Sequence, residues 1–430
     1  MNKRQIITCL AAAILSGCGD SGSLPDDASP EVIAAVEACR SLGAREKQDC
    51  YEERVLAVLD DSGVRSALEA LSQIAAADVE VQRDAHVYTH AIGITSYDPA
   101  RPVSEVFAEC TELFQSGCYH GVIQAHFMAT GIPDAGTVEG LCEDFKRPGE
   151  DRFLLFQCLH GLGHGLTMYY GHHLPRALED CDLLADGWDR ESCYGGAFME
   201  NVVAATSPHH VATELAHDPA AVVAGGADSS DPATPAGDEG QGDMHDHGME
   251  PAAAAVVDAL EPFEPLRPDD PHYPCSVLQD RYLTACYLMQ TSVMLHYNGG
   301  DFGEAADDCS SAPEPWRRTC FQSLGRDVSA YTLQDHARGI GACREAPEEY
   351  RDYCYVGLVK NYIDITATTG DGFAFCTKIE ERYKPRCNEA IGEQIGTLYG
   401  STEERRQACT GAETPELERR CRAGARVPTS

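Results

Sequence analysis

Basic residues are scarce in this chain of 430, where 33 Lys and Arg stand against 69 Asp and Glu for a formal net charge of −36 at pH 7. So acidic a surface repels nucleic acid, and no Lys/Arg stripe interleaved with aromatics interrupts it. Aromatics make up only 7% of the chain, with two Trp, so the fold has to be held by something other than a large aromatic core. Strand-like alternation is rare. Beyond the first 15 residues no apolar run approaches the length that spans a bilayer. Motifs of several enzyme classes are missing as well. There is no His-Glu-x-x-His of a zincin protease, no Cys-x-x-Cys-His for covalent haem, no Walker loop for phosphates, and no Cys-x-x-Cys for thiol–disulfide exchange.

Cysteine, by contrast, is abundant. Of 20 cysteines, 18 form nine successive pairs: Cys39 with Cys50, Cys110 with Cys118, Cys142 with Cys158, Cys181 with Cys193, Cys275 with Cys286, Cys309 with Cys320, Cys343 with Cys354, Cys376 with Cys387, and Cys409 with Cys421. Seven pairs are spaced 11 or 12, and from Cys275 the first member recurs every 33 or 34 residues. That period is the length of one helical hairpin in a solenoid. Residues 11 apart on one continuous helix lie roughly 16 Å apart, beyond disulfide reach, so the chain must reverse inside each pair. Pro313 and Pro315 between Cys309 and Cys320, and Pro385 before Cys387, suit such a turn. The expected fold is all-α, a solenoid of α/α hairpins with repeats of about 34 residues, each stapled by its own disulfide. In period alone it is similar to tetratricopeptide-type repeats; the Trp and Leu-Gly pattern of that family is absent.

At the N-terminus, Lys3 and Arg4 precede an apolar stretch from Ile6 to Leu15, and Leu15-Ser16-Gly17-Cys18 resembles the lipobox of bacterial lipoproteins. The resemblance implies that residues 1–17 are a signal peptide, that Cys18 is the lipid-attachment site, and that residues 18–29 form a tether. The mature protein would then sit in the bacterial cell envelope, on the periplasmic or extracellular side, held to the lipid bilayer by an N-terminal acyl anchor. In that oxidising compartment regularly paired cysteines read as disulfides, whereas in the cytosol they would suggest metal clusters. Residues 30–217 hold the N-terminal, histidine-rich repeats and residues 274–421 the C-terminal ones. Between them, residues 218–273 are rich in Pro, Gly, Ala, Asp and Ser, lack cysteine and read as a disordered linker; residues 422–430 read as a loose tail.

The cysteines also provide a register. The segment Asp84 to His90 aligns on Cys158 to His164, and three consecutive helices then carry His86, His120 and His160 at the second position after the cysteine. The sixth position holds His90, Gln124 and His164, with Met199 in the fourth helix. Second and sixth positions lie four apart on one helix face, where two imidazoles can close on one metal ion. The C-terminal repeats have Leu288 and Ser292, Gln322 and Arg326, Val356 and Lys360, and Glu389 and Glu393 at these places, so the scaffold itself does not require histidine. The third position is usually small, as in Gly121, Gly161, Gly196 and Gly357, which suits a helix face pressed against a neighbour.

The candidate metal ligands are therefore His86, His90, His120, His160 and His164. Behind them come Met199, Glu200 as ligand or general base rotated off the stripe, and His126 on another face. First and third helices can share an ion only if the stack curves sharply; otherwise His120 lies between two histidine pairs that hold separate ions. Copper, zinc and iron all suit imidazole. His172-His173, His209-His210 and the tract Met244-His245-Asp246-His247-Gly248-Met249 extend the excess of histidine, and the thioethers of that tract and Met199 lean towards copper. Two functions fit this pattern. One is metal binding, for handling or for catalysis at an open coordination position. The other is a helical scaffold for a protein or peptide, with the histidines structural.

Overall fold

In the computed structural model, residues 24–25, 28–130, 135–146, 152–206, 260–366 and 368–428 are described. The lipobox with Cys18, residues 218–259 of the linker, and His209, His210, His245 and His247 lie outside the described residues. Twenty helices and no strand occur among those described. Helices α1 (Pro30–Cys39), α2 (Ala44–Ser62), α3 (Val64–Ala77) and α4 (Val79–Ser96) open the chain. Three hairpins follow: α5 (Val103–Phe107) with α6 (Gly117–Thr130), α7 (Ala135–Gly140) with α8 (Arg152–Tyr169), and α9 (Leu174–Cys181) with α10 (Gly187–Thr206). The second half begins with a 3-10 turn (Cys275–Val277), α11 (Leu283–Tyr287) and α12 (Gln290–Asn298). It continues as α13 (Phe302–Ser311) with α14 (Glu314–Tyr331), α15 (His336–Cys343) with α16 (Arg351–Thr366), α17 (Gly370–Cys376) with α18 (Lys384–Leu398), and α19 (Thr402–Ala408) with α20 (Pro415–Gly424). Side-chain caps start many of them: Ser29, Asp78, Asp301, Asp335, Ser401 and Thr414 each accept from a backbone N–H of the first turn. Ser29, counted with the tether from sequence, thus caps the first helix of the stack. No helix among the described residues is long and apolar enough to cross a membrane.

All nine cysteine pairs are bonded as their spacing predicts, with Cα–Cα distances from 5.4 to 5.9 Å. In the N-terminal half Cys39 is joined to Cys50, Cys110 to Cys118, Cys142 to Cys158 and Cys181 to Cys193. In the C-terminal half Cys275 is joined to Cys286, Cys309 to Cys320, Cys343 to Cys354, Cys376 to Cys387 and Cys409 to Cys421. Each bond ties an outer helix or turn to the helix that follows it. The Cys181–Cys193 bond closes a loop of sequence separation 12 between α9 and α10. Replacing both cysteines by alanine is expected to lower the unfolding free energy by about 3 kcal/mol. Urea titration of the variant checks this, and an unchanged midpoint would contradict it.

The inner helices α4, α6, α8, α10, α11–α12, α14, α16, α18 and α20 pack each against the next. In alternate pairs their backbones nearly touch. A Cβ on Gly163 of α8 would stand 2.0 Å from the Cys193 carbonyl oxygen, and one on Gly196 of α10 only 1.8 Å from that of His160. These contacts correct the register of α4. The glycine at the third position after cysteine meets the second-position carbonyl of the preceding inner helix: Gly196 meets His160, Gly357 meets Gln322 and Gly424 meets Glu389. Gly121 of α6 meets His90, so His90 and not His86 is the second-position residue, and Tyr88 stands where the cysteine would be. The alignment of Asp84 with Cys158 is one turn early. A slip of four residues leaves the same face exposed, and α4 has no cysteine to reveal it.

The stack winds back onto itself. Helix α18 packs against α8, and Gln82 at the start of α4 lies 3.5 Å from Gln334 just beyond α14. Both contacts join inner helices five repeats apart, so the chain forms a superhelix of about five hairpins per turn with the inner faces turned towards its axis.

Two boundaries differ from the sequence reading. Leu266 is buried with Val202 and Val293, and Asn201 donates to the Pro265 carbonyl at 3.1 Å, so the packed C-terminal part includes residues from Leu260 on and does not begin at Pro274. At the other end α20 runs through Gly424, with Ala425 and Val427 buried, because Gly424 lets the helix sit against the backbone of α18. Composition alone hides both, since a few buried apolar residues suffice to fix a segment otherwise rich in Pro, Gly and charge.

Candidate metal centre

Tight winding brings five histidines of three helices into one cluster. Ring centroids are 4.6 Å apart for His86 and His90 on α4, 5.5 Å for His90 and His120 on α6, and 4.8 Å from His120 to each of His160 and His164 on α8. His90 also lies 5.3 Å from His164, so the first and third helices do meet. Two groups of three have ligand nitrogens within 4.8 Å of one another: His86, His90 and His120, and His120, His160 and His164. His120 belongs to both. It is 2% exposed and His164 1%, which places the middle of the cluster inside the protein.

Outer contacts decide which nitrogens face inward. His86 Nδ1 lies 2.8 Å from the Phe114 carbonyl oxygen, a group that only accepts, so Nδ1 carries the proton and Nε2 the lone pair. His90 Nδ1 donates to Gln124 Oε1 at 3.0 Å; the Gln124 amide nitrogen donates to Glu200 at 3.1 Å, which orients its oxygen. His164 Nδ1 donates to Glu200 Oε2 at 2.9 Å, and His120 Nε2 to Gln157 Oε1 at 3.1 Å. His160 hydrogen-bonds the backbone of Ser192. The lone pairs left over are His86 Nε2, His90 Nε2, His120 Nδ1, His164 Nε2 and that of the second His160 nitrogen.

Two of these lone pairs find no partner among the described residues. His120 Nδ1 and His164 Nε2 are buried without a hydrogen-bond partner among the described residues, a costly condition for polar atoms. His86 Nε2 and His90 Nε2 lie 3.0 Å apart, so a proton or a metal ion has to be shared between them. Imidazoles oriented from outside by carbonyl and carboxylate acceptors are the usual second layer of a metal site. The backbone bears some strain to build this layer: Phe114, Gln115 and Ser116 have φ of 51, 59 and 64°, a left-handed turn that aims the Phe114 carbonyl at His86.

Electrostatics agree with neutral ligands. Burial, reinforced by neighbouring imidazoles, holds His90, His120 and His160 well below the ordinary histidine value. Burial disfavours the charge on Glu200, but hydrogen bonds from His164 and His172 outweigh it and hold the carboxyl well below the usual carboxylate range. A fixed anion thus lies buried beside neutral nitrogens.

The remaining candidates take other places. Glu200 belongs to neither triad and stands behind them as an acceptor. Met199 is also outside the triads. His126 belongs to neither triad, and its Nδ1 lies 3.1 Å from the Tyr97 hydroxyl. Sequence reasoning overlooked Gln124 and Gln157 as orienting groups, although Gln124 stood at the sixth position between two histidine-bearing helices. It counted His172 only as part of the histidine excess. A turn through Gly171 and His172, with φ of 61 and 65°, carries the His172 ring to within 3.3 Å of Glu200. His173 caps α9 and takes no part.

The cluster opens on one side. His120, His160 and Met199 line a cavity of about 420 Å³ inside the superhelix, together with Phe156, Trp188 and Met289. A ligand in this cavity would approach the triad of His120, His160 and His164. Compared with family models, curated proteins and solved structures, the chain matches none.

Proposed function

We propose that this protein binds a transition metal ion through the two histidine triads that share His120, as a lipid-anchored protein of the bacterial cell envelope. The buried His120 Nδ1 and His164 Nε2, which no group among the described residues satisfies, carry this reading. A donor set of neutral imidazoles suits copper, zinc or iron and not the oxygen-seeking calcium or magnesium. Met199, which lines the same cavity as His120 and His160, adds a thioether to that wall and favours copper. The cavity leaves one side of the centre accessible, as metal transfer or metal-dependent catalysis requires. The anchor rests on the resemblance of residues 15–18 to a lipobox, and loss of acyl labelling in Cys18→Ser tests it.

Metal binding is tested on full-length protein exported to an oxidising compartment, stripped with chelator and titrated with zinc and copper. Saturable uptake is expected. Glu200→Gln, which removes the acceptor of His164 and disturbs Gln124, is expected to weaken it roughly 10- to 100-fold. His126→Ala should leave affinity unchanged. A folded protein that takes up neither metal would favour the scaffold reading, in which the histidines are structural and a protein or peptide partner binds regardless of chelator.

A further inference from the structure

A second site lies where one superhelical turn meets the next. Arg152 at the start of α8, Arg405 on α19 and Arg426 just past α20 line one pocket of about 120 Å³, with Trp188, Glu393 and Thr397 among its other walls. Arg405 and Arg426 belong to the last hairpin, and Arg152, far earlier in the sequence, meets them only through the winding of the stack. Arg405 Nε donates to the Tyr399 carbonyl at 2.7 Å, and the Arg152 guanidinium lies 4.1 Å over the Trp188 ring. No ion pair to a carboxylate occurs for any of the three among the described residues. Glu393 does not neutralise them, because its carboxylate is held by Lys360 at 2.5 Å and Arg386 at 2.8 Å. In a chain with 69 acidic and 33 basic side chains, three cations left together in one pocket are conspicuous. Burial, together with Arg152 and Arg426, pulls Arg405 below its ordinary value, so the three repel one another as they stand.

We propose that this pocket binds a phosphate group, with Arg152, Arg405 and Arg426 as its donors. Three guanidinium forks offer more N–H groups than the two oxygens of a carboxylate can use, whereas a tetrahedral dianion accepts from all three and cancels their repulsion. Stacking on Trp188 orients Arg152 in advance. The pocket shares Trp188 and Thr397 with the axial cavity, so the organic part of a phosphate ester would lead inward from it. Phosphate binding here does not require the metal centre.

Calorimetric titration of the full-length protein at low ionic strength tests it, with inorganic phosphate, phenyl phosphate and acetate as probes. Saturable phosphate binding is expected, with acetate at least tenfold weaker. Arg405→Gln and Arg426→Gln should each weaken phosphate at least tenfold, while Arg45→Gln, on α2 beside Asp49, should not. Because each variant relieves repulsion, its melting temperature without phosphate should equal or exceed that of the parent, which separates lost binding from lost folding. Tighter binding of phenyl phosphate than of phosphate identifies an ester as the ligand, and equal binding the free ion. Absence of saturable binding, equal affinity for acetate, or unchanged affinity in folded Arg405→Gln would overturn the proposal.

Discussion

His120→Ala is expected to abolish tight metal binding, with a larger loss than that of any other single histidine. His120 is the one residue common to both triads. With Nε2 committed to Gln157 at 3.1 Å, it turns a single lone pair, Nδ1, towards the cluster. One ion is therefore expected per chain, bound by His120 together with histidines of α4 or α8. His86→Ala and His160→Ala each leave one triad whole, and their affinity should fall less. His120→Ala breaks both, and the fall should exceed the roughly 10- to 100-fold that loss of an orienting group costs. Titration of chelator-stripped protein, with elemental analysis for stoichiometry, reads the result, and circular dichroism and disulfide mapping show whether the fold persists. A folded His120→Ala protein with parental affinity would exclude a centre at this place. Two equivalents bound by the parent would mean that His120 gives up Gln157 and bridges two ions.

Gly163→Ala is expected to destabilise the protein by about 2 kcal/mol, although alanine is the better helix former. A Cβ there would lie 2.0 Å from the Cys193 carbonyl oxygen and 2.6 Å from the Ala197 nitrogen, both backbone atoms of α10 that cannot rotate aside. Helices α8 and α10 would have to separate, and overpacking of this kind costs about 1–3 kcal/mol or more against the roughly 1 kcal/mol that alanine gains in helix propensity. The opposite sign is expected for Gly341→Ala in α15, where a Cβ meets nothing within 4 Å and the gain is about 0.5–1 kcal/mol. Separating α8 from α10 would also draw Glu200 away from His164, so metal affinity should fall in Gly163→Ala and not in Gly341→Ala. Urea unfolding with metal titration of both variants measures the two effects. Equal stability changes of one sign would contradict the close approach of the backbones.

Much of this architecture could be read from spacing because its constraints are local. A disulfide between residues 11 or 12 apart, such as Cys39 with Cys50 or Cys343 with Cys354, dictates a reversal of the chain, and seven such pairs, with two more of separation 8 and 16, count out the hairpins wherever they lie in space. The histidine positions were legible for the same reason: a residue's face on its own helix depends only on its distance from a local marker. Where the marker was missing, on α4, the reading slipped one turn, yet His86 and His90 remained candidates because the slip preserved the face.

What spacing could not supply was the curvature of the stack. The approach of His90 to His164, the opening of their cluster onto an axial cavity, and the meeting of Arg152 with Arg405 and Arg426 all depend on the rotation between successive hairpins. That rotation follows from how closely each inner helix seats on the next, at contacts such as Gly163 on Cys193 and Gly121 on His90. Each contact changes the direction of the stack only slightly. Summed over about five repeats they close a turn, and residues hundreds of positions apart become neighbours, which no single helix encodes.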